Sequence, residues 1–345
     1  MLDRALLEDL IAEVRLAPSV HNIQPTRWRL IGSDTLLLLE DVSRRLPAAD
    51  PSGYDVRLSH GAAIEGLSLA LGQRGLRIAE VGPLIDAMAS DGLQPVARIT
   101  VAAGGELDGL ADFVPIRTSW RGGFRPLDAA GQAALHMYSA MVGDVRLVRD
   151  VDSVDAIARL GDEAGFHFLC EDAHRAELLY WMRLSRSDPL YQRDGLSAEA
   201  MAMPGVVAFG TRLVLGPLFP LLRRLGLAAT LASERGKFAN SAVALFHRPD
   251  GEDPLVSGRA FYRAWLAMTA QGLAACPVSV LADWPASNRR LVEKHGIPAG
   301  HRLVNVFRLG LATGAFPAAR ARLPLSELIV WSKPRGWTIG DEATD

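Results

Sequence analysis

The sequence predicts an α+β fold in which helices pack around antiparallel or mixed sheets. Helical and strand-like hydrophobic patterns alternate along the 345 residues, but the strands come partly in hairpins and no βαβαβ series is evident. Hydrophobic residues make up 49% of the chain, which is enough for a sizeable core. This content excludes disordered, collagen-like and disulfide-scaffold proteins.

The elements can be assigned in order from hydrophobic spacing and turn residues. An amphipathic helix begins behind Asp3 as N-cap and ends at Ala17-Pro18, and a hairpin then turns at Gly32-Ser33-Asp34. Further helices are predicted at 58–75, 127–142, 154–181 (one helix or two) and around 261–272. Strands are predicted at 96–101, 145–148, 241–246 and 302–309.

A polar linker that starts at Ala102-Ala103-Gly104-Gly105 is the best candidate for an internal boundary. The order of elements partly repeats beyond it. We therefore expect two related halves of unequal length, residues 1–105 and residues 106–345.

The charge balance and the cysteines limit the class of protein. Lys and Arg total 37 against 39 Asp and Glu, so the net charge is −2 and gives no footprint for nucleic acid. Cys170 and Cys276 are too few for a disulfide framework, which favours a reducing cytoplasm. The first residues carry acids among their apolar positions, unlike a signal or transit peptide.

A nearly continuous apolar stretch runs from Val206 to Leu231. Arg212, Arg223 and Arg224 interrupt it, and a membrane-spanning helix rarely tolerates arginine near its centre. The favoured interpretation is a buried or partly exposed helical hairpin broken at Gly216-Pro217. A mobile apolar lid over a site, or a patch that touches a bilayer surface, are the alternatives.

Several familiar signatures are missing. The chain has no G-x-G-x-x-G after a strand, no P-loop, no G-x-S-x-G, no H-E-x-x-H and no C-x-x-C. His167, Cys170 and His174 share one predicted helix face, but one helix cannot easily wrap three ligands around an ion, so we expect no metal site. Ser19 with His21 or His60 lacks an oxyanion-hole motif, which disfavours a hydrolase.

Two short segments are rich in groups that bind ligands. The loop Ala17–Pro25 carries Ser, Asn and Gln side chains, which suit the imide edge of a neutral heteroaromatic ring, or simply cap a turn. The run Arg117-Thr118-Ser119-Trp120-Arg121 places two guanidinium groups around a hydroxyl, as a phosphate clamp or a solvated basic face. Arg320 and Arg322 repeat that spacing.

In combination these segments resemble the nitroreductase superfamily of FMN-binding flavoproteins, and more specifically its Acg-like branch, in which one chain holds two nitroreductase-type halves. The resembling segments follow the expected order over nearly the whole chain. They are Ala17–Pro25, Arg44–Pro47 with Asp50–Gly53, Leu58–Ala63, Arg117–Phe124, Trp181 with Asp194-Gly195, Gly272–Pro277, Leu309-Gly310, and Phe316-Pro317 with Arg320–Arg322.

The resemblance implies a nitroreductase-like α+β fold and one FMN built from both halves. It assigns the phosphate and ribityl chain to Arg117, Ser119 and Arg121, with Arg322 and Arg320. It assigns the isoalloxazine edge to Ser19, Asn22 and Gln24, and more weakly to His21. The residues Pro277, Val278 and Ser279 would lie near the reactive edge of the flavin.

The resemblance also implies the chemistry. The flavin would pass hydride or electrons through its N5, from NAD(P)H to an apolar, aromatic or conjugated acceptor, and no side chain need act as a catalyst. The chain would be a monomer with an internal pseudo-dimer, or a weak homodimer. A non-catalytic protein that sequesters FMN is the alternative.

Two departures from the family pattern matter. Thr26 stands where the family usually has Trp after Gln-Pro, and the first half has no R-x-S-x-R, which implies a single flavin site. An apolar insertion at about 195–237 is expected to act as the lid that this branch places over the flavin.

Overall fold

The computed structural model describes residues 2–83, 92–315 and 320–331. The chain divides into two compact units. Unit 1 comprises Met1–Pro115, Pro254–Tyr262 and Arg322–Asp345, and unit 2 comprises Ile116–Asp253 and Arg263–Ala321. Each unit is therefore discontinuous in sequence, and the predicted halves 1–105 and 106–345 stay a prediction.

Unit 1 is built on a four-stranded antiparallel sheet of order β1-β2-β4-β3. Its elements are α1 (Arg4–Val14), β1 (Thr26–Ile31), β2 (Thr35–Asp41), α2 (Tyr54–Gly72), β3 (Leu76–Gly82), β4 (Leu93–Ala103) and, from the C-terminal segment, α12 (Leu325–Leu328). Short 3-10 helices lie at Val20–Asn22, Val42–Arg44 and Gly109–Phe113. Asp3 caps α1 by accepting from the Leu6 amide at 2.8 Å, as predicted.

Two glycines let helices pack closely in unit 1. A Cβ on Gly61 in α2 would lie 2.2 Å from the Leu255 carbonyl oxygen, and a Cβ on Gly258 would lie 2.1 Å from the Leu58 carbonyl oxygen. Both distances are far below van der Waals contact, so only glycine fits at this crossing. Most residues of α2 are buried, which agrees with its run of small and apolar residues.

Unit 2 is built on a second antiparallel sheet of order β10-β11-β9-β6, with β5 paired to β11. The first elements are β5 (Phe124–Arg125), α3 (Ala129–Met141), β6 (Val145–Val148), α4 (Val151–Leu169), α5 (Asp172–Trp181), β7 (Met182–Arg183), β8 (Leu196–Ser197), α6 (Gly205–Leu215), α7 (Phe219–Arg224) and α8 (Ala228–Ala232). A 3-10 helix at Arg235–Phe238, β9 (Ala242–Pro249), α9 (Pro254–Ala270, begun in unit 1), β10 (Ala274–Pro277), α10 (Val280–Asp283), α11 (Pro285–His295) and β11 (His301–Ala312) follow.

The apolar stretch folds as three short helices, α6, α7 and α8, with the first break at Gly216. Leu215, Phe219 and Ala228 are buried against α4, α5 and their neighbours. The predicted break at Gly216-Pro217 is confirmed, but the stretch forms three largely exposed helices rather than a hairpin, and its function as a lid stays a prediction. Within residues 2–83, 92–315 and 320–331 no helix has the length and apolar character needed to cross a membrane.

The predicted α+β class is confirmed, with antiparallel sheets and one short parallel pair, β7 with β8. The region 154–181 forms two helices, and the helix predicted at 58–75 extends from Tyr54 to Gly72. The sequence missed β3, a largely exposed strand, and α11, whose face is mostly polar. The motif Phe316-Pro317 lies outside the described residues.

Candidate functional site

The N-terminal loop of unit 1 has a strained backbone. His21, Asn22 and Gln24 have φ of 43°, 54° and 52°, a region that non-glycine residues rarely adopt. Such strain costs roughly 1–3 kcal/mol per residue and is concentrated at functional sites, where surrounding contacts hold it in place. In this loop the Ser19 hydroxyl accepts from the Gln24 amide at 3.0 Å, which closes the turn.

The amide side chains of this loop bind the C-terminal segment of the same unit. The Arg322 guanidinium donates to Asn22 Oδ1 at 2.9 Å and to the Leu16 carbonyl oxygen at 3.2 Å. The side-chain oxygen of buried Gln24 accepts from the Leu323 amide at 2.8 Å. Asn22, Gln24 and Arg322 thus come together with the C-terminal segment and make hydrogen bonds within unit 1, whereas the ring nitrogen Nδ1 of His21 is buried and makes no hydrogen bond among the described residues.

A buried polar network lies directly behind the loop. The His60 ring is fully buried between the Thr26 hydroxyl, 2.8 Å from Nδ1, and Glu40 Oε2, 3.2 Å from Nε2. Arg45 forms an ion pair with the same carboxylate. Burial lowers the pKa of His60, which its contact with Glu40 only partly opposes.

The charge on Glu40 is retained by its partners. Burial acts to raise the pKa of Glu40, but hydrogen bonds with His60 and Arg45 lower it overall. A neutral His60 that donates from Nε2 to Glu40 and accepts at Nδ1 from Thr26 satisfies both ring nitrogens. This arrangement leaves His60 no ring nitrogen for Ser19, which argues against a serine–histidine pair at these positions.

In unit 2 the predicted phosphate segment is fixed by strand-like contacts. Ser119 forms a parallel bridge with Ala275 of β10, and the Trp120 amide donates to the Ala275 carbonyl oxygen at 2.8 Å. The Trp120 indole N–H donates to the Gly123 carbonyl oxygen at 2.9 Å, which tightens the following turn. These contacts place the segment beside the strand that leads into Pro277.

The arginines of this segment differ in their surroundings. Arg117 is only 3% exposed and lies over the Trp265 ring at 4.4 Å, so it is not a residue of a solvated basic face. Arg320 donates to the Arg117 carbonyl oxygen at 2.7 Å. Arg121 is half-buried and donates to the Ala200 carbonyl oxygen at 3.2 Å. The structure therefore brings Arg117, Arg320 and the Ser119–Arg121 turn to one place in unit 2.

Arg308 on β11 is a residue that sequence reasoning missed. Its buried guanidinium donates to the carbonyl oxygens of Gly122 at 2.9 Å, Lys237 at 2.8 Å and Trp120 at 3.3 Å. Its charge also faces the Phe124 ring at 5.2 Å. An arginine in the middle of an apolar strand pattern was the signal that could have identified it.

Pro277 is the last residue of β10, and Val278 and Ser279 follow it directly. The Val278 amide donates to the Val306 carbonyl oxygen at 2.7 Å. Ser279 begins α10, and its carbonyl oxygen accepts from the amides of Ala282 and Asp283. The same strand therefore carries both this turn and the Ser119 bridge.

The predicted histidine–cysteine face is split between two helices. Cys170 ends α4, and His174 lies in α5. His167 stacks on Trp284 and His174 on Phe168, at ring separations of 5.1 and 4.7 Å. Among the described residues no group of three or more His, Cys, Asp or Glu is arranged to hold a metal ion.

Comparisons with known proteins find relatives over nearly the full length. An uncharacterised protein of Mycobacterium tuberculosis strain H37Rv is 25% identical over 354 residues, covering 94% of this chain and 92% of that protein. A second protein of that strain, named "Putative NAD(P)H nitroreductase", is 28% identical over 331 residues, covering 91% and 88%. No protein-family model matches the chain. The second name agrees with the resemblance drawn from the motifs.

Two solved structures also align with this chain. A nitroreductase with bound FMN from Bacteroides fragilis has 15% identity and a TM-score of 0.33, covering 68% of this chain and 100% of that one. The FMN-dependent nitroreductase NfnB from Mycobacterium smegmatis, in complex with NADPH, has 20% identity and a TM-score of 0.35, covering 65% and 98%.

Proposed function

We propose that this chain is an FMN-dependent oxidoreductase of the nitroreductase type that accepts electrons from NAD(P)H. The observation that carries the proposal is the turn of unit 2 on which Arg117, Ser119 and Arg121 alternate, with Arg320 bonded to the Arg117 carbonyl oxygen. The name of a relative that aligns with 91% of the chain supports the same activity.

The residues of this turn fit the phosphate of FMN. Arginine offers permanently charged, planar donors that match phosphate oxygens. Among the described residues the Ser119 hydroxyl makes no hydrogen bond and Arg121 makes no ion pair, so both can donate to an anion without giving up a protein partner. The buried stack on Trp265 fixes the Arg117 guanidinium, so little side-chain entropy is lost on binding.

The other predicted contacts complete the proposal. The strained loop with Ser19, His21, Asn22 and Gln24 would meet the polar edge of the isoalloxazine ring, with Arg322 behind Asn22. The turn Pro277, Val278 and Ser279 would lie at the reactive edge. When bound, FMN supplies hydride and electron transfer at its N5, and the acceptor we propose is apolar and aromatic or conjugated.

The protein's own part is to bind, orient and shield. Main-chain contacts with β10 and Arg308 hold the arginine turn in one conformation, and the apolar helices α6–α8 are proposed to limit the access of water and acceptor. The two cysteines are free thiols, which is compatible with the cytoplasmic location that we propose.

Flavin binding and reduction test the proposal in sequence. The purified chain, reconstituted with FMN, should show the visible flavin band, and Arg117→Ala with Arg121→Ala should weaken FMN binding by roughly 100-fold or more, because two charge-assisted contacts are lost. Arg125→Ala, an exposed arginine paired with Asp128 next to the turn, is the matched control and should bind normally.

Anaerobic titration with NADH and NADPH then separates the candidate functions. Bleaching of the flavin band by either nicotinamide supports the oxidoreductase. A flavin that dithionite reduces but neither nicotinamide does would identify an FMN-sequestering protein instead. A chain that cannot bind FMN, or a double variant that binds it unchanged, contradicts the phosphate site.

A further inference from the structure

The helices α6, α7 and α8 expose an unusually large apolar surface. Half of the exposed large hydrophobic side chains in the described part of the chain fall between Val206 and Leu231. Val206 is 86% exposed, and Phe209, Leu221, Leu225, Leu227 and Leu231 are each exposed by half or more. Monomeric proteins rarely leave such a concentration of apolar groups in water, so this surface, here called the apolar face, indicates an interaction.

The charges on the apolar face have one sign. Between Glu199 and Glu234 the only charged residues are Arg212, Arg223 and Arg224, and all three are exposed. The chain as a whole has a net charge of −2, so this positive segment stands apart from the rest of the sequence. A partner for the face should therefore combine an apolar phase with negative charge.

The opposite side of these helices is anchored to unit 2. Leu215, Phe219 and Ala228 are buried, and Arg175 lies over the Phe219 ring at 4.3 Å. Arg223 donates to the Cys170 carbonyl oxygen at 3.2 Å. The exposed leucines are therefore presented by packed helices, and each helix has one buried side and one apolar exposed side.

We propose that the apolar face docks on the surface of an anionic phospholipid bilayer. Its leucines, valines and phenylalanine would enter the boundary between headgroups and acyl chains, while the arginines meet the lipid phosphates, as in interfacial amphipathic helices. A second copy of the chain is a poorer occupant, because a twofold interface would bring the arginines of both copies onto one face, and the segment has no acid to balance them. The proposal does not depend on a bound flavin.

Vesicle flotation of the full chain tests this proposal. The protein should float with vesicles of equal parts phosphatidylglycerol and phosphatidylcholine, remain unbound with phosphatidylcholine alone, and dissociate as salt is raised. Arg212→Gln with Arg224→Gln should weaken binding about 30-fold, given roughly 1 kcal/mol for each basic residue at an anionic surface. Leu221→Ser with Leu225→Ser should weaken it by about tenfold or more.

Matched variants control for charge and exposed apolar area. Arg159→Gln with Arg290→Gln, and Met137→Ser with Met141→Ser, change exposed residues on α3, α4 and α11 and should bind like the unaltered chain. If the leucine variant does not fold, the arginine variant carries the test. Absence of flotation with anionic vesicles, equal flotation with neutral ones, or a dimer that only the leucine variant dissociates would overturn the proposal.

Discussion

The loop Ser19–Gln24 of unit 1 and the segment Arg117–Phe124 of unit 2 are held in place differently. In the loop, side chains that we expect to contact a ligand form hydrogen bonds with the protein itself. In the segment, most of the hydrogen bonds are made to main-chain carbonyl oxygens. Asn22 and Gln24 hold the C-terminal segment through their side-chain oxygens. In the second segment, carbonyl oxygens accept from Arg308, Arg320 and the Trp120 indole. A ligand at the loop must therefore compete with existing hydrogen bonds.

The loop of unit 1 therefore uses its polar side chains to stabilise the fold, whereas the segment of unit 2 can present a side chain to a ligand. Hydrogen bonds to main-chain groups help to fix this segment without using the Ser119 hydroxyl, which stays available to an anion, although the Arg117 and Arg121 side chains also contact Trp265 and Ala200. The loop instead keeps three residues at positive φ, and the same side chains that could meet a ring maintain that strain. The Ser119 hydroxyl of unit 2 makes no hydrogen bond to any described residue, whereas the side-chain oxygens of Asn22 and Gln24 in unit 1 already accept one each.

Among the changes that test this difference, replacement of Arg308 should have the largest effect on the free energy of unfolding. Arg308→Met removes a charged donor from the carbonyl oxygens of Trp120, Gly122 and Lys237, so we expect a loss of about 3 kcal/mol or more in the free energy of unfolding. Arg308→Lys restores the charge without the planar fork and should recover only part of it. Denaturant unfolding measures both.

Flavin binding tells whether Arg308 only stabilises the fold or also positions the turn. FMN affinity should fall in Arg308→Lys even at temperatures where the variant is fully folded. Arg125→Met changes an exposed arginine and should alter neither quantity by more than about 0.5 kcal/mol. Wild-type affinity in folded Arg308→Lys would contradict a positioning role.

The fold was largely predictable because elements with one buried side carry apolar residues at a regular spacing in the sequence. The strands β6 and β9 and the helix α1 have a consistently apolar side, and hydrophobic spacing located each of them. β3 is an edge strand with mostly exposed residues, so no alternation marked it. α11 is mostly polar, although Pro285 at its start and Gly296 in the left-handed region at its end were readable signals.

The site was less predictable because its supports are distant in sequence. The motif identified Arg117, but Trp265 beneath it and Arg308 behind the turn come from elements more than 140 residues away. Spacing also could not separate Arg320 from Arg322, which contact Arg117 in unit 2 and Asn22 in unit 1. Contacts between residues so far apart in the sequence produce no regular spacing from which they could be predicted.

Acidification should affect the loop of unit 1 before the turn of unit 2. The unfolded chain takes up a proton on His60 near its ordinary pKa of 6.5, while burial keeps the folded-state pKa lower, so stability is present above about pH 6.5 and is lost as the pH falls below it. The slope is at most about 1.4 kcal/mol per pH unit.

Thermal unfolding between about pH 7.5 and pH 5.5 measures this slope. His60→Gln should flatten it, and the exposed His136→Gln should not. Burial also lowers the pKa values of His174, His247 and His295, so part of the slope should persist in His60→Gln. Hydrogen exchange, corrected for the intrinsic effect of pH, should show residues 19–24 opening before residues 117–124, and the reverse order would contradict the comparison.

Two serine-to-alanine changes should have the smallest effects and still distinguish the loop of unit 1 from the turn of unit 2. Ser19→Ala removes the acceptor of the Gln24 amide, so we expect the free energy of unfolding to fall by about 1 kcal/mol. Ser119→Ala removes a hydroxyl with no hydrogen bond to any described residue, so the same quantity should change by less than about 0.5 kcal/mol. FMN affinity should respond in the opposite order, with a loss of roughly five- to tenfold in Ser119→Ala because one donor to the phosphate is gone. Equal losses of stability in the two variants, or unchanged FMN affinity in Ser119→Ala, would mean that the Ser119 hydroxyl does not bind the phosphate.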